Sequence, residues 1–286
     1  MADRVYVSTG TMVGRENGFD YVRALRELAV LQEEGFCDGI ELMMLIFYYD
    51  KLDMVVGEVV SSGVTPAVIH CEKEIGTMLS ECGTLRASNR LDEEKARYSE
   101  TLDLFRMNCD TGCRLGVKRM VLHLWGGMHS DHHIEYNAEK LPELSEIALG
   151  YGLRILVENI PSQKADPRRN WHTVLPLLGN GGFVFDTRFG MLHRQIEGIL
   201  DDSDLVKRIE HVHISDFAGT YREFRALRPI LHPGEGHIDF EMVASLLRRN
   251  GYGSSITVES PVISGTELDT DKMRKTLSYV RDRFIY

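Results

Sequence analysis

The chain has 286 residues, 43% of them hydrophobic and 27% charged, with a formal net charge of −10, the mixture of an ordinary globular protein with enough length to bury a large core. Its five cysteines (37, 71, 82, 109 and 113) are odd in number and scattered and form no Cys-x-x-Cys pair, which points to a reducing, cytoplasmic setting. Met-Ala-Asp-Arg at the start lacks a signal-peptide apolar core, and the apolar run at 42–49 falls well short of the ~20 residues that span a bilayer; the acidic balance argues against a general nucleic-acid binder.

In chain order, short apolar and β-branched runs occur at 4–10, 39–44, 65–70, 119–125, 153–160, 182–187, 209–215 and 255–260. Each is apolar through most of its length, as a strand covered on both faces should be. Helical patterns alternate with them, which predicts an α/β fold, a parallel sheet closed into a single (β/α)8 TIM barrel over residues 1–286. A doubly wound open sheet is the alternative, but no glycine-rich dinucleotide fingerprint is present. The first helix steps through Tyr21, Leu25, Leu28 and Gln32 and stops at Gly35. One long helix is expected to fill most of the gap after the third strand. Asp92 would cap it, Leu91, Tyr98, Leu102, Phe105 and Cys109 would form its buried stripe, and Gly116 would end it. Cys109 and Cys113, four apart, read as small core thiols rather than a metal pair. The next helix is expected to start at Pro142 and to stop near Gly150 or Gly152. After the seventh strand comes an irregular stretch, 217–240, of the kind in which barrel proteins place function.

Six of the eight apolar runs carry an ionisable residue near their carboxyl ends. Strand 3 ends in His70, strand 4 carries His123, strand 5 ends in Glu158, strand 6 in Asp186, strand 7 carries His213, and strand 8 ends in Glu259. In a parallel barrel those ends share one face. Gathering two Glu, one Asp and one His there is costly without compensation. One divalent cation held by Glu158, Asp186, His213 and Glu259 supplies it, and Mn²⁺, Mg²⁺, Co²⁺ or Zn²⁺ suits such a donor set. His211 is expected to point away from His213 by strand alternation, leaving one axial ligand on that strand. Glu41 interrupts an apolar run and reads as a contact to the ligands or the substrate. His129, His132 and His133 read as polar residues of an exposed loop.

The motifs GIEL (39–42), VLHLWGG (121–127), ILVENIP (155–161), FVFDT (183–187), HVHISD (211–216), HPGEGHIDF (232–240) and ITVESP (256–261) resemble those of the xylose isomerase-like barrel superfamily. That group includes sugar isomerases and epimerases and the endonuclease IV branch, and the resemblance covers essentially the whole chain. It implies that the Glu158, Asp186, His213 and Glu259 set binds one divalent metal. The endonuclease branch adds histidines at the positions of His70 and His123, so a second metal there is an alternative. That branch also carries Asp-x-x-His after strand 6, where Phe189 stands here, and an Asp-x-His that the stretch 228–233 lacks. A third metal, and with it abasic-site phosphodiester cleavage, is therefore disfavoured.

The resemblance implies an isomerase or epimerase of a small sugar or polyol-like ketone, working through an enediolate with Glu158 and Glu259 as paired acid and base. Dehydration of a cyclic keto acid or inosose is an alternative outcome, and a non-catalytic sensor barrel is another. His70, His123 and Trp125 are candidates for lining the substrate, with rim packing as the alternative for Trp125. Arg228 and His232, in a loop that also holds Arg222 and Arg225, are candidates for its polar or anionic end. The expected partner is a small carbohydrate-like molecule, with no membrane contact; a homo-oligomer is compatible with the sequence.

Overall fold

The computed structural model describes residues 2–285. Eight parallel strands close into a barrel: β1 (Arg4–Ser8), β2 (Ile40–Met43), β3 (Pro66–His70), β4 (Arg119–Leu122), β5 (Arg154–Glu158), β6 (Gly182–Asp186), β7 (Ile209–Ile214) and β8 (Ser255–Val258). They pair in sequence order, and β8 closes on β1 through Val5 opposite Ile256 and Val7 opposite Val258. Around them run α1 (Tyr21–Glu33), α2 (Leu52–Ser62), α3 (Glu74–Ala87), α4 (Leu91–Arg114), α5 (Ile134–Gly150), α6 (Pro167–Val174), α7 (Thr187–Leu192), α8 (Ile196–Leu200), α9 (Phe240–Arg249) and α10 (Thr270–Phe284). A two-stranded ribbon, β9 (Ile263–Ser264) with β10 (Glu267–Leu268), follows β8.

Side chains alternate in or out along each strand. The outward set, among them Val5, Ile40, Ile69, Met120, Ile155, Phe183, Val212 and Ile256, joins the large core under the helices. The inward set is a separate small cluster, Tyr6, Val68, Val121, Leu156 and Val184, that fills the barrel's interior. Two residues further along the same strands stand Ser8, His70, His123, Glu158 and Asp186. The apolar plug and the polar layer above it are thus successive layers of one period-two pattern.

The gap after β3 holds two helices, not one. α3 precedes α4, and Asp92 lies inside the first turn of α4, whose cap residue is Arg90. α3 escaped notice because it is buried on several sides (Ile75, Met78, Leu79, Cys82) and shows no one-sided stripe. It packs so closely on the end of β4 that a Cβ on Gly76 would stand 2.6 Å from the carbonyl oxygens of His123 and Trp125. α5 begins at Ile134 rather than Pro142. The proline sits inside it on an exposed face, where water can take the carbonyl it leaves unbonded. Asp20, Asp166, Asp186, Asp239 and Asp269 cap α1, α6, α7, α9 and α10, each accepting an N–H three residues on. The only helical segment between β7 and α9 is one short 3-10 helix, Phe224–Leu227. Asp216 organises it: its carboxylate accepts N–H bonds from Phe217, Gly234, Gly236 and Ile238. A Cβ on Gly236 would meet that carboxylate at 2.5 Å, so glycine is required there. No helix among the described residues is long and apolar enough to cross a membrane.

Candidate active site

At the carboxyl-terminal mouth of the barrel, ligand-type atoms of Glu158, Asp186, His213 and Glu259 all lie within 4.8 Å of one another. Asp186 and His213 are fully buried, and Glu158 is nearly so. Asp186 is held from both sides: its backbone exchanges two hydrogen bonds with the Asn159 amide, and its Oδ1 accepts the Phe189 N–H at 2.6 Å. His213 places Nδ1 2.7 Å from Glu158 Oε1 and 3.5 Å from Glu259 Oε1. Its Nε2 stands 3.1 Å from Glu41 Oε2. A histidine that gives one nitrogen to a carboxylate and turns the other toward acidic oxygens is a usual metal-ligand arrangement.

His70 and His123 border the same cluster. His123 Nε2 is 2.6 Å from Glu158 Oε2 and His70 Nε2 is 3.6 Å from it. His70, His123 and Glu158 form a second close donor group, and Glu41, His70, His213 and Glu259 a third. All three groups share members.

The electrostatics follow from burial set against these pairings. For Glu158, burial raises the carboxyl pKa, but His213 and His123 outweigh it and hold the group well below its usual range. Glu41 behaves likewise beside His213 and His211. For His213, burial lowers the pKa, and Glu259, Glu41 and Glu158 together drive it well above the ordinary value. His70, also buried, is pushed up to about 9 by Glu158, Glu41 and Glu259, whereas burial dominates at His123 and lowers it. Asp186 is pushed up to about 7, chiefly by burial. Asp186 Oδ2 is buried without a hydrogen-bond donor, and Glu158 Oε2 is buried with only His123 Nε2 within hydrogen-bond distance, at 2.6 Å. Carboxylate oxygens so placed beside an imidazole nitrogen are what a divalent cation takes up, so the four residues fit one such ion.

Above the cluster opens a cavity of ≈ 500 Å³ whose lining includes His70, His123, Glu158, Glu259, Arg188 and Arg228. Other expected site residues lie elsewhere. Trp125 is fully buried and donates its indole N–H to the Pro161 carbonyl at 3.2 Å, so it packs the rim and does not wall the cavity. His232 is buried beside α10, with Nε2 donating to the Pro261 carbonyl and Nδ1 2.6 Å from Thr276 Oγ1; it braces the loop after β7. His211 corrects the strand reading: residues two apart share a face, and its Nε2 lies 3.0 Å from the same Glu41 oxygen as that of His213. It sits one layer below, also bonded to Ser255 and Thr257. His129, His132, His133 and the cysteines belong to no close donor group among the described residues.

Arg188 lines the cavity from the first turn of α7 without having been expected there. An arginine two residues after an aspartate that begins a helix reads as a surface residue. Asn159 and Asp216 act on backbone groups distant in sequence, for which a single chain carries no signal.

A closed (β/α)8 barrel with one carboxylate–imidazole centre at its carboxyl-terminal face defines the class of protein. The particular family is the xylose isomerase-like TIM barrel, whose model matches residues 29–283, and the chain belongs to it. It is 28% identical over 179 residues to a protein of Bacillus velezensis named inosose isomerase, a match covering 60% of this chain and 62% of the relative, less than two thirds of that relative's length. Among solved structures, the IolI protein with a bound zinc atom superposes with a TM-score of 0.72 at 20% identity, covering 99% of this chain and 100% of that one. A D-allulose 3-epimerase from Methylomonas sp. superposes with a TM-score of 0.70 at 16% identity, again covering 99% and 100%. At these identities the structures speak for the fold.

Proposed function

We propose that this barrel is a divalent-metal-dependent isomerase or epimerase of a small sugar or polyol-like ketone. The observation that carries this reading is the pair Glu158 and Glu259, which reach one cavity from β5 and from the end of β8 with His213 between them. Glu158, Asp186, His213 and Glu259 are the residues that would hold the metal. When bound, it polarises a substrate carbonyl and neighbouring hydroxyl and stabilises negative charge there.

The chain's own groups move the proton. Glu158, held ionised, takes it from the carbon beside the carbonyl, and the C–H electron pair delocalises into the carbonyl as an enediolate. Glu259 carries the proton that is returned. Return to the opposite face of the same carbon inverts it, and return to the neighbouring carbon exchanges aldose and ketose. His70 and His123 border the cavity and donate hydrogen bonds to substrate oxygens. The sequence relative named inosose isomerase, and fold relatives named as epimerases, support a substrate of this type.

The test is incubation in D2O, with Mn²⁺ or Co²⁺, of ketoses, inosose-type cyclic ketones, hydroxypyruvate and dehydroshikimate. One metal per chain and deuterium at the carbon beside a carbonyl are expected. Glu158→Gln and Glu259→Gln should each lose about 10²–10⁴-fold in rate. No stoichiometric metal, or full activity in either variant, overturns the reading. Two metals per chain with cleavage of abasic-site DNA would replace it with a phosphodiesterase, and an unsaturated product with a dehydratase.

A further inference from the structure

Arg188 is only 7% exposed and lines the cavity over the donor cluster. One of its nitrogens, Nη1, donates to the Leu227 carbonyl at 3.2 Å, and its Nε is buried with no partner. Its guanidinium carbon lies 4.7 Å from the centre of the Phe189 ring. Leu227 is followed by Arg228, so that one hydrogen bond fastens two arginines to the same wall. Lys73, in the turn between β3 and α3, also lines the cavity. No carboxylate within ion-pair distance of Arg188, Arg228 or Lys73 occurs among the described residues, although most other arginines have one.

Asp186 feels the field of Arg188 but makes no ion-pair contact with it. A buried guanidinium without such a contact is costly, and a neutral hydroxyl would be held at less cost by a serine or an amide. A carboxylate or phosphate repays that cost through paired, charge-assisted hydrogen bonds. The chain's net charge of −10 supplies no general attraction for anions, so recognition must come from these local cations. We propose that the substrate is an anionic polyhydroxy ketone, a keto sugar acid or a ketose phosphate. Arg188 binds its anionic group, assisted by Arg228. This rests on the isomerase or epimerase reading for the ketone end alone.

The experiment is calorimetric binding to the Mn²⁺-loaded protein of three ligands that share one backbone: D-fructose, 2-keto-D-gluconate and D-fructose 6-phosphate. One of the two anions should bind at least about tenfold more tightly than D-fructose, and which one it is separates carboxylate from phosphate. Arg188→Gln should collapse that ratio toward one. Arg228→Gln, at an exposed position that leaves folding intact, should reduce it by a smaller factor. Thermal melting of Arg188→Gln establishes that it is folded. Equal or weaker binding of both anions, or a preference unchanged in both variants, overturns the proposal. Deuterium exchange into D-fructose without anion preference would leave the isomerase reading standing and this one refuted. Arg188-dependent anion binding without exchange into any of the three would do the reverse.

Discussion

Glu41 shows how far the chemistry of one residue depends on its neighbours. Its Oε2 faces Nε2 of both His211 and His213, and its Oε1 is buried without a donor. By accepting from His213 Nε2, it leaves Nδ1 as the ring nitrogen turned toward Glu158 and Glu259. Glu41→Gln should therefore lower divalent-metal affinity by about 10–100-fold while the circular-dichroism spectrum stays native. Unchanged affinity in a metal titration would show that His213 needs no such orientation. His193 is another buried imidazole, outside the close donor groups. Its Nε2 accepts the Ser162 N–H at 3.2 Å, so it must be neutral, and burial lowers its pKa to about 4. Between its unfolded value near 6.5 and about 4 the unfolded chain holds the extra proton. Its contribution to stability is thus complete above pH ~6.5 and falls away as the pH drops toward 4. Urea midpoints measured from pH 7 to 5 should fall less steeply in His193→Gln than in the parent, and parallel slopes would exclude the assignment.

Among the elements, the helix starts are where sequence chemistry acts most directly. Asp269 caps α10 through the Lys272 N–H at 2.9 Å, and Asp269→Ala should cost about 0.5–2 kcal/mol, read as a lower urea midpoint at constant slope. Gly76→Ala tests the packing of α3 on β4. The added methyl cannot fit against the His123 and Trp125 carbonyls, so His123 should shift and the cavity with it. Loss of substrate affinity exceeding loss of stability is expected, and native affinity would refute the contact's role. The strands were legible because an apolar run that breaks at one ionisable residue carries both a fold signal and a site signal. Glu158, Asp186, His213 and Glu259 could be picked out on that basis. α3 was not legible, since burial on several faces erases the stripe by which a helix is recognised. Trp125 and His232 were misplaced because residue type alone does not say which face of a loop turns inward. Arg188 stayed hidden because its role depends on Leu227, thirty-nine positions away.

For the molecule as a whole, the period-two alternation has done two jobs in one barrel. The inward positions Tyr6, Val68, Val121, Leu156 and Val184 close the interior, and the next inward positions on all five of those strands carry polar side chains. A cation should therefore stabilise the whole barrel and not one loop. At a metal concentration 100 times the dissociation constant, unfolding should cost about 2.7 kcal/mol more than in chelator. A melting temperature indifferent to metal would contradict that coupling. The loop after β7 bears on the molecule differently. Both of its ends, Phe217 at one side and Gly234 to Ile238 at the other, converge on the single carboxylate of Asp216. The intervening chain is consequently a cassette with a common clasp, and it brings Phe224, Leu227, Arg228 and Ile230 to the cavity as one unit. Exchanging that cassette between related barrels would transplant a wall of the cavity while leaving the strands that carry Glu158, Asp186, His213 and Glu259 untouched.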